Sequence, residues 1–298
     1  MSANYLGNKT THSWIQTEEN PGVYIPGTCS GKPCSSTSNL NQRRVLFLAN
    51  PKAGASYATI ARSDDGANDG YNGLLLSARR RLSRNYTVLA NYTYSHCISE
   101  GNFVGELAGA GYQNPYDRDA DRGNCAFDLR HIFNLSVVAT SPTFRGDPWK
   151  RWLLSNWQIA PIVAVHSGNP FTPVTGADNS MTGVGLDRPN VVGQPYVRNT
   201  STLLWLSPAA FVPNPIGTFG NAGTYSLYGP RYFNIDVAIS RSFVIREAQR
   251  LDVRFEAFNS TNHTHLALPV ASESNARFGQ ITSAGDPRIL QFAMKYHF

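Results

Sequence analysis

The stretch Arg288-Ile-Leu-Gln-Phe-Ala-Met-Lys-Tyr-His-Phe298 alternates strictly in polarity and closes on an aromatic residue. Leu290, Phe292, Met294, Tyr296 and Phe298 share one face, and Gln291, Ala293, Lys295 and His297 share the other, the period-two pattern of a strand with one greasy and one wet side. Termini of water-soluble domains are usually frayed and polar. An apolar strand that runs to the last residue therefore points to a closed barrel whose greasy side meets lipid.

The same alternation recurs upstream. Leu251, Val253, Phe255 and Ala257 oppose Asp252, Arg254 and Glu256, and three charges on one face require that face to be wet. Phe233, Ile235, Val237, Ile239 and Phe243 alternate with Asn234, Asp236, Ser240 and Ser242, and the tight join Ile245 to Gln249 makes a hairpin of the two segments. Further back lie Trp157 to Val165, Phe133 to Ala139, Tyr86 to Tyr94 and Leu74 to Leu82, the last two joined at Ser83 to Asn85. Connections alternate in length: the joins at Ser83 to Asn85, Ser141 to Ser155 and Ile245 to Gln249 are short, whereas Cys97 to Ala126, Gly168 to Arg231 and Ser260 to Pro287 are long and rich in Gly, Pro, Asn and Asp. Short turns at one end and long loops at the other are the layout of outer-membrane barrels, with the long loops outside the cell.

The expected fold is all-β, an antiparallel transmembrane barrel represented by a partial meander of about 7–8 strands. Residues 1–70 read as a loop-rich extracellular segment and residues 71–298 as the barrel strands. The final strand is expected to pair with Leu251 to Asn259 on one side and to be free on the other. Pro161 lacks a donor and predicts a bulge or local distortion in its strand. Arg80 and Arg241 fall on the greasy face near the short-turn end, where long side chains snorkel to the interface. Pro148-Trp-Lys-Arg-Trp152 is placed to start a short interfacial helix.

Composition agrees. Among 298 residues no run approaches the roughly 18 apolar residues of a spanning helix. A helical membrane protein is excluded, whereas alternating strands average to an ordinary hydropathy, here −0.30. The 14 Tyr, 15 Phe and 5 Trp suit interfacial girdles. A net charge of +6 is spread along the chain without a basic cluster interleaved with aromatics, which speaks against nucleic acid as a partner. Met1 to Thr10 has neither the positive nor the apolar region of a secretory signal, so either the chain is not exported or such a signal lies upstream.

No constellation predicts an enzyme, a cofactor or a metal. Ser167-Gly-Asn-Pro is not a nucleophile elbow, and Phe219-Gly-Asn-Ala-Gly lacks the Lys of a phosphate loop. The run Asp117, Arg118, Asp119, Asp121, Arg122 reads as a solvated, self-neutralised loop rather than a calcium site. His263 and His265 lack a third ligand. The cysteines fall as two pairs, Cys29 with Cys34 and Cys97 with Cys125, in or beside loops; two local disulfides in an oxidising compartment or unpaired thiols are both open, and four cysteines allow three connectivities. On the strand layout Cys97 and Cys125 bracket the first long loop, where a disulfide would pin its base.

Several segments in order resemble the C-terminal part of TonB-dependent outer-membrane receptors, in particular the Oar-like group with a carboxypeptidase-regulatory-like domain. They are Tyr71-Asn-Gly-Leu-Leu-Leu-Ser-Ala-Arg-Arg-Arg-Leu-Ser-Arg84, Ala90-Asn-Tyr-Thr-Tyr-Ser-His96, Asp121-Arg-Gly-Asn-Cys-Ala-Phe-Asp-Leu-Arg-His131, Asn156-Trp-Gln-Ile159, Ser167-Gly-Asn-Pro-Phe-Thr172, Phe219-Gly-Asn-Ala-Gly223, Phe255-Glu-Ala-Phe-Asn259 and the closing strand. The resemblance implies a barrel of about 22 strands, plugged by an N-terminal domain and importing large or scarce solutes. It implies outer-membrane lipid as surroundings and contact with the TonB system only through a plug that has no counterpart in this sequence. It also implies that Met294, Tyr296 and Phe298 are read by the barrel-assembly machinery. Asp128 and Arg130, with His131, resemble a strand-start motif and are expected in the lumen with Asp252, Arg254 and Glu256. Two other readings remain: a small self-contained pore or adhesin, and a soluble carbohydrate-binding β domain.

Overall fold

The computed structural model describes residues 1–83, 85–101, 112–185, 187–246 and 249–298. Arg84 of one turn, Glu247 and Ala248 of another, residues 102–111 of the first long loop, and the side chains expected of Arg81 and Leu82 lie outside the described residues.

Eight long strands form a continuous antiparallel meander: β1 (Ser2–Glu18), β2 (Ala61–Ser83), β3 (Tyr86–Ser99), β4 (His131–Thr140), β5 (Gln158–His166), β6 (Tyr232–Arg246), β7 (Gln249–Phe258) and β8 (Ile289–His297), each pairing with the next. The short strand Gly123–Asn124 adds to the end of β3. Among the described residues β1 and β8 each pair on one side only, so the sheet is open. The last strand pairs as expected, Leu251 opposite Tyr296 and Ala257 opposite Leu290, with its other edge free.

The expected division at residue 70 is corrected. Ser2–Glu18 is a strand of 17 residues, and β2 starts ten residues earlier than expected, at Ala61. Together they make a hairpin that extends past the apolar zone, with Glu18 opposite Ala61. In that extension Asp64, Asp65, Asn68 and Asp69 carry no polar–apolar alternation and read as loop, yet the backbone ladder does not need it, and Ile15 and Ala67 are buried there with Tyr112. Among the described residues the long strands therefore number eight, within the expected 7–8.

Residues sort cleanly by face. One row of paired residues runs Ala3, Leu76, Tyr92, Phe133, Val165, Phe233, and another runs Phe292, Phe255, Ile239, Ile159, Ala139, Tyr86. On the opposite face a third row runs Ser2, Ser77, Asn91, Asn134, Ala164, Asn234. The registers step so that no row crosses from β1 to β8, which is the stagger that tilted barrel strands require. Pro161 gives a local distortion rather than a bulge: register is kept from Ser136–Ile162 to Ala139–Ile159, with pairing interrupted between them on the β4 side. Its pairing with Val237 of β6 is intact, so the missing N–H falls toward one neighbour and costs one local stretch of ladder.

Candidate functional site: an outward belt and a folded loop cap

The apolar face has no protein against it. Phe292 is 62% and Met294 64% exposed, and Leu74, Leu76, Ile159, Phe255 and Leu290 are exposed as well. In water such a continuous patch would drive association, whereas in a bilayer it is the surface that lipid covers. Tyr296 and Phe298 stack at 6.3 Å at the end of this belt, and Met294 lies in line with them.

At the short-turn end the expected helix forms over Pro148–Leu154 and leaves Trp149, Trp152 and Leu153 exposed. Arg241 explains its position. From the outward face of β6 its guanidinium donates to the carbonyls of Trp152 and Leu153, the latter at 2.7 Å, and lies 4.3 Å from the Phe243 ring and 5.5 Å from Trp157. Trp157 Nε1 donates to Leu153 as well, at 2.8 Å, and Ser141 Oγ to Leu154 at 2.9 Å. The helix C-terminus, rich in unpaired carbonyls and partial negative charge, is thus satisfied by side chains. Arg241 is only 8% exposed, so it is capped by the helix rather than snorkelling freely, while Arg80 is exposed.

The greatest surprise lies at the other end, where the long connections fold on one another. Phe171, Leu206, Ala210, Phe211 and Leu227 from the second long loop enclose Phe278 from the third, with Phe211 and Phe278 edge to face at 5.1 Å. Leu206 N and Trp205 N both donate to Gly279, a left-handed residue (φ 76°) at which a Cβ would lie 2.9 Å from Leu206. The first long loop joins through Asp121, which is buried against Arg188 and accepts from Gln113 N at 2.6 Å. The segment after β1 joins through Arg43, which is buried and donates to Val23, Ser36, Asn39 and Met181. The expected self-neutralised run is therefore corrected: Asp121 pairs with Arg188, Arg118 with Asp64, and Arg122 with Glu100, each outside the run. Nothing in the sequence marks these partners, since 67 residues separate Asp121 from Arg188.

Burial inside this cap shifts its titrations. It pushes Tyr112 up to about 12, lowers Arg43, and raises Asp187, whose Oδ2 accepts from Ser180 N at 2.5 Å while Oδ1 has no partner.

The five charged residues expected together in the lumen separate into two groups. Asp252, Arg254 and Glu256 line the polar face of β7, where Arg254 pairs with Glu256 at 2.6 Å and Asp252 with Arg250 and His297 at 3.0 and 2.9 Å. Asp128 and Arg130 sit at the base of the cap instead, pairing with each other at 3.3 Å and with His96, which shares the β3 face of Tyr92 and Tyr94. The polypeptide leaves the ladder before His131, so strand parity no longer sets where they point. Cys29 is bonded to Cys34 and Cys97 to Cys125, the second pair joining the end of β3 to the start of the approach to β4. His263 and His265 are engaged in aromatic packing, His265 against Tyr232 at 4.6 Å and His263 against Phe233 at 5.6 Å.

An apolar outward belt, staggered antiparallel strands, short joins at one end and a folded cap at the other define an outer-membrane β-barrel domain. The family model described as outer membrane beta barrel domain matches residues 1–291, and the chain belongs to that family and resides in the outer membrane. No curated protein and no solved structure matches it.

Proposed function

We propose that these strands form part of the barrel of a TonB-dependent receptor of the Oar-like kind, in which the loop cap contributes to recognition of a large or scarce solute. The observation that carries this reading is the cap itself: four connections joined by the buried Asp121–Arg188 pair, by the hydrogen bonds of buried Arg43 and by a small apolar core form one folded surface at the long-loop end, as a recognition surface requires and a simple pore does not. The collinear segments quoted above support the same assignment. On this reading the chain binds and admits solute without catalysing a reaction or using a cofactor, and nucleic acid has no part in it. Its partners are bilayer lipid, the assembly machinery that reads Met294, Tyr296 and Phe298, and TonB through a plug domain.

A second reading has one observation in its favour. β1 and β8 run antiparallel at the two free edges, so their directions permit closure as a small pore or adhesin. Purification from the native outer membrane separates the two. The receptor reading expects the barrel to purify with a plug domain that cross-links to TonB, and no spontaneous conductance in a planar bilayer. Stepwise open-channel currents from a barrel that never cross-links to TonB would establish the pore. The soluble carbohydrate-binding reading is set aside, because the family is an outer-membrane one and the apolar face is uncovered.

A further inference from the structure

Arg130, Arg198 and Arg231 line a single cavity of about 360 Å³ between the base of the loop cap and the strand ends, with Trp205 and Tyr228 in its wall. Three guanidiniums in one concavity repel one another and need compensation. The carboxylate that meets Arg130 is Asp128, which is 1% exposed at its side chain and already engaged. It accepts from Cys97 N at 2.7 Å and from Tyr228 Oη at 3.2 Å, and faces His96 at 3.5 Å as well as Arg130. Arg130 Nε is buried without a partner. Arg198 and Arg231 make no ion pair among the described residues.

The wall is also organised in advance. Arg198 holds a left-handed backbone (φ 53°) and stacks 4.4 Å from the Tyr196 ring and 5.8 Å from Trp205. Both aromatics are fixed by the backbone of Tyr228, whose N–H donates to Tyr196 Oη and whose carbonyl accepts from Trp205 Nε1, each at 2.8 Å. A stacked, oriented guanidinium loses little freedom on forming paired hydrogen bonds to an oxyanion, and a concave site with excess positive charge concentrates anions. We propose that this cavity binds a phosphate-type oxyanion, with Arg198 and Arg231 as its rim and Arg130 as its floor. The group could be carried by a soluble solute or by a lipid of the outer leaflet, since the cavity lies at the long-loop end. The inference does not depend on the TonB-dependent reading.

The test is calorimetric titration of the full chain, folded in detergent, with inorganic phosphate at constant ionic strength. Saturable binding is expected, weakened about tenfold or more in an Arg198→Ala/Arg231→Ala double variant, as loss of charge-assisted hydrogen bonds dictates. Arg80→Ala, on the far end of β2, should bind as the parent does. Lipopolysaccharide micelles form the second arm. If they bind, and the double variant loses that binding, the oxyanion belongs to lipid; phosphate binding that they do not displace assigns it to a solute. Binding unchanged in the double variant overturns the proposal, as does the absence of binding to either probe when circular dichroism and both disulfides are intact.

Discussion

Arg241 occupies a place where a charge is costly, on the outward face of a membrane strand, and it is held there by helix carbonyls rather than by a carboxylate. Replacing it by Met keeps the stem and removes the donors, leaving the Trp152 carbonyl without its partner and that of Leu153 with Trp157 Nε1 alone, at a cost of about 1–3 kcal/mol. The expected result is a detached Pro148–Leu154 helix, seen as faster tryptic cleavage after Lys150 and Arg151; cleavage at the parental rate would show that Arg241 does not hold it. Asp187 makes the complementary case inside the cap. Burial, with some help from the charge of Asp178, raises its pKa against the opposing hydrogen bonds from Ser180. The folded state therefore holds its proton to higher pH than the unfolded chain does. Its contribution to stability is present below the usual Asp range and falls as pH rises through the raised folded value. Asp187→Asn should remove this slope and leave the cap at least as stable at neutral pH, by up to about 1 kcal/mol. Thermal melts from pH 3 to 7 check it, and an unaltered slope in the variant would sink the assignment. Arg241 was legible in the sequence as an anomaly on a greasy face, whereas Asp187 was not, because burial inside a loop cap leaves no periodic trace.

Strands whose two faces meet different solvents announce themselves, and the segment from Leu290 to Phe298 is the plainest instance: its partner strand and outward face were both legible in the sequence. β1 shows the limit of that signal. Only its first residues lie beside the apolar rows, at Ala3 and Tyr5, and the rest runs on with Asn, Lys and Thr on both faces. The loop cap lies beyond it for another reason, since its core residues recur at no fixed spacing and meet only after the strands bring the loops together. The Cys97–Cys125 disulfide links these two kinds of element, and Cys125 N also donates to Cys97 O at 3.1 Å. Closing a loop of this length stabilises by about 3–4 kcal/mol. A Cys97→Ser/Cys125→Ser variant should keep its strands but lose that much stability at the loop base, so limited proteolysis should cut first near residues 112–126. Protection equal to the parent's would mean that the Asp121–Arg188 contact suffices alone.

At the scale of the molecule, the open sheet sets a physical problem that the bilayer must solve. The outer edges of β1 and β8 present unpaired N–H and C=O groups, and in hydrocarbon each such group costs several kcal/mol. Inside the membrane the two edges must therefore be paired, either with each other or with further strands. The stagger bears on which. β8 lies in rows beyond those occupied by β1, so direct closure has to accommodate the full register step between them within an eight-stranded circumference. Such a barrel has an interior just filled by side chains, whereas here Arg254 with Glu256 and Asp252 with Arg250 and His297 neutralise one another along and between adjacent strands, without reaching across a lumen. We expect further strands at both edges. Hydrogen exchange in native outer membranes should show the β8 amides that point away from β7 protected as strongly as those that point toward it. Single cysteines replacing Ala3 and Leu290, both on the outward face, should then fail to cross-link within one chain under oxidant. An efficient intramolecular cross-link, together with a heat-dependent shift in gel mobility, would instead establish closure of β1 on β8.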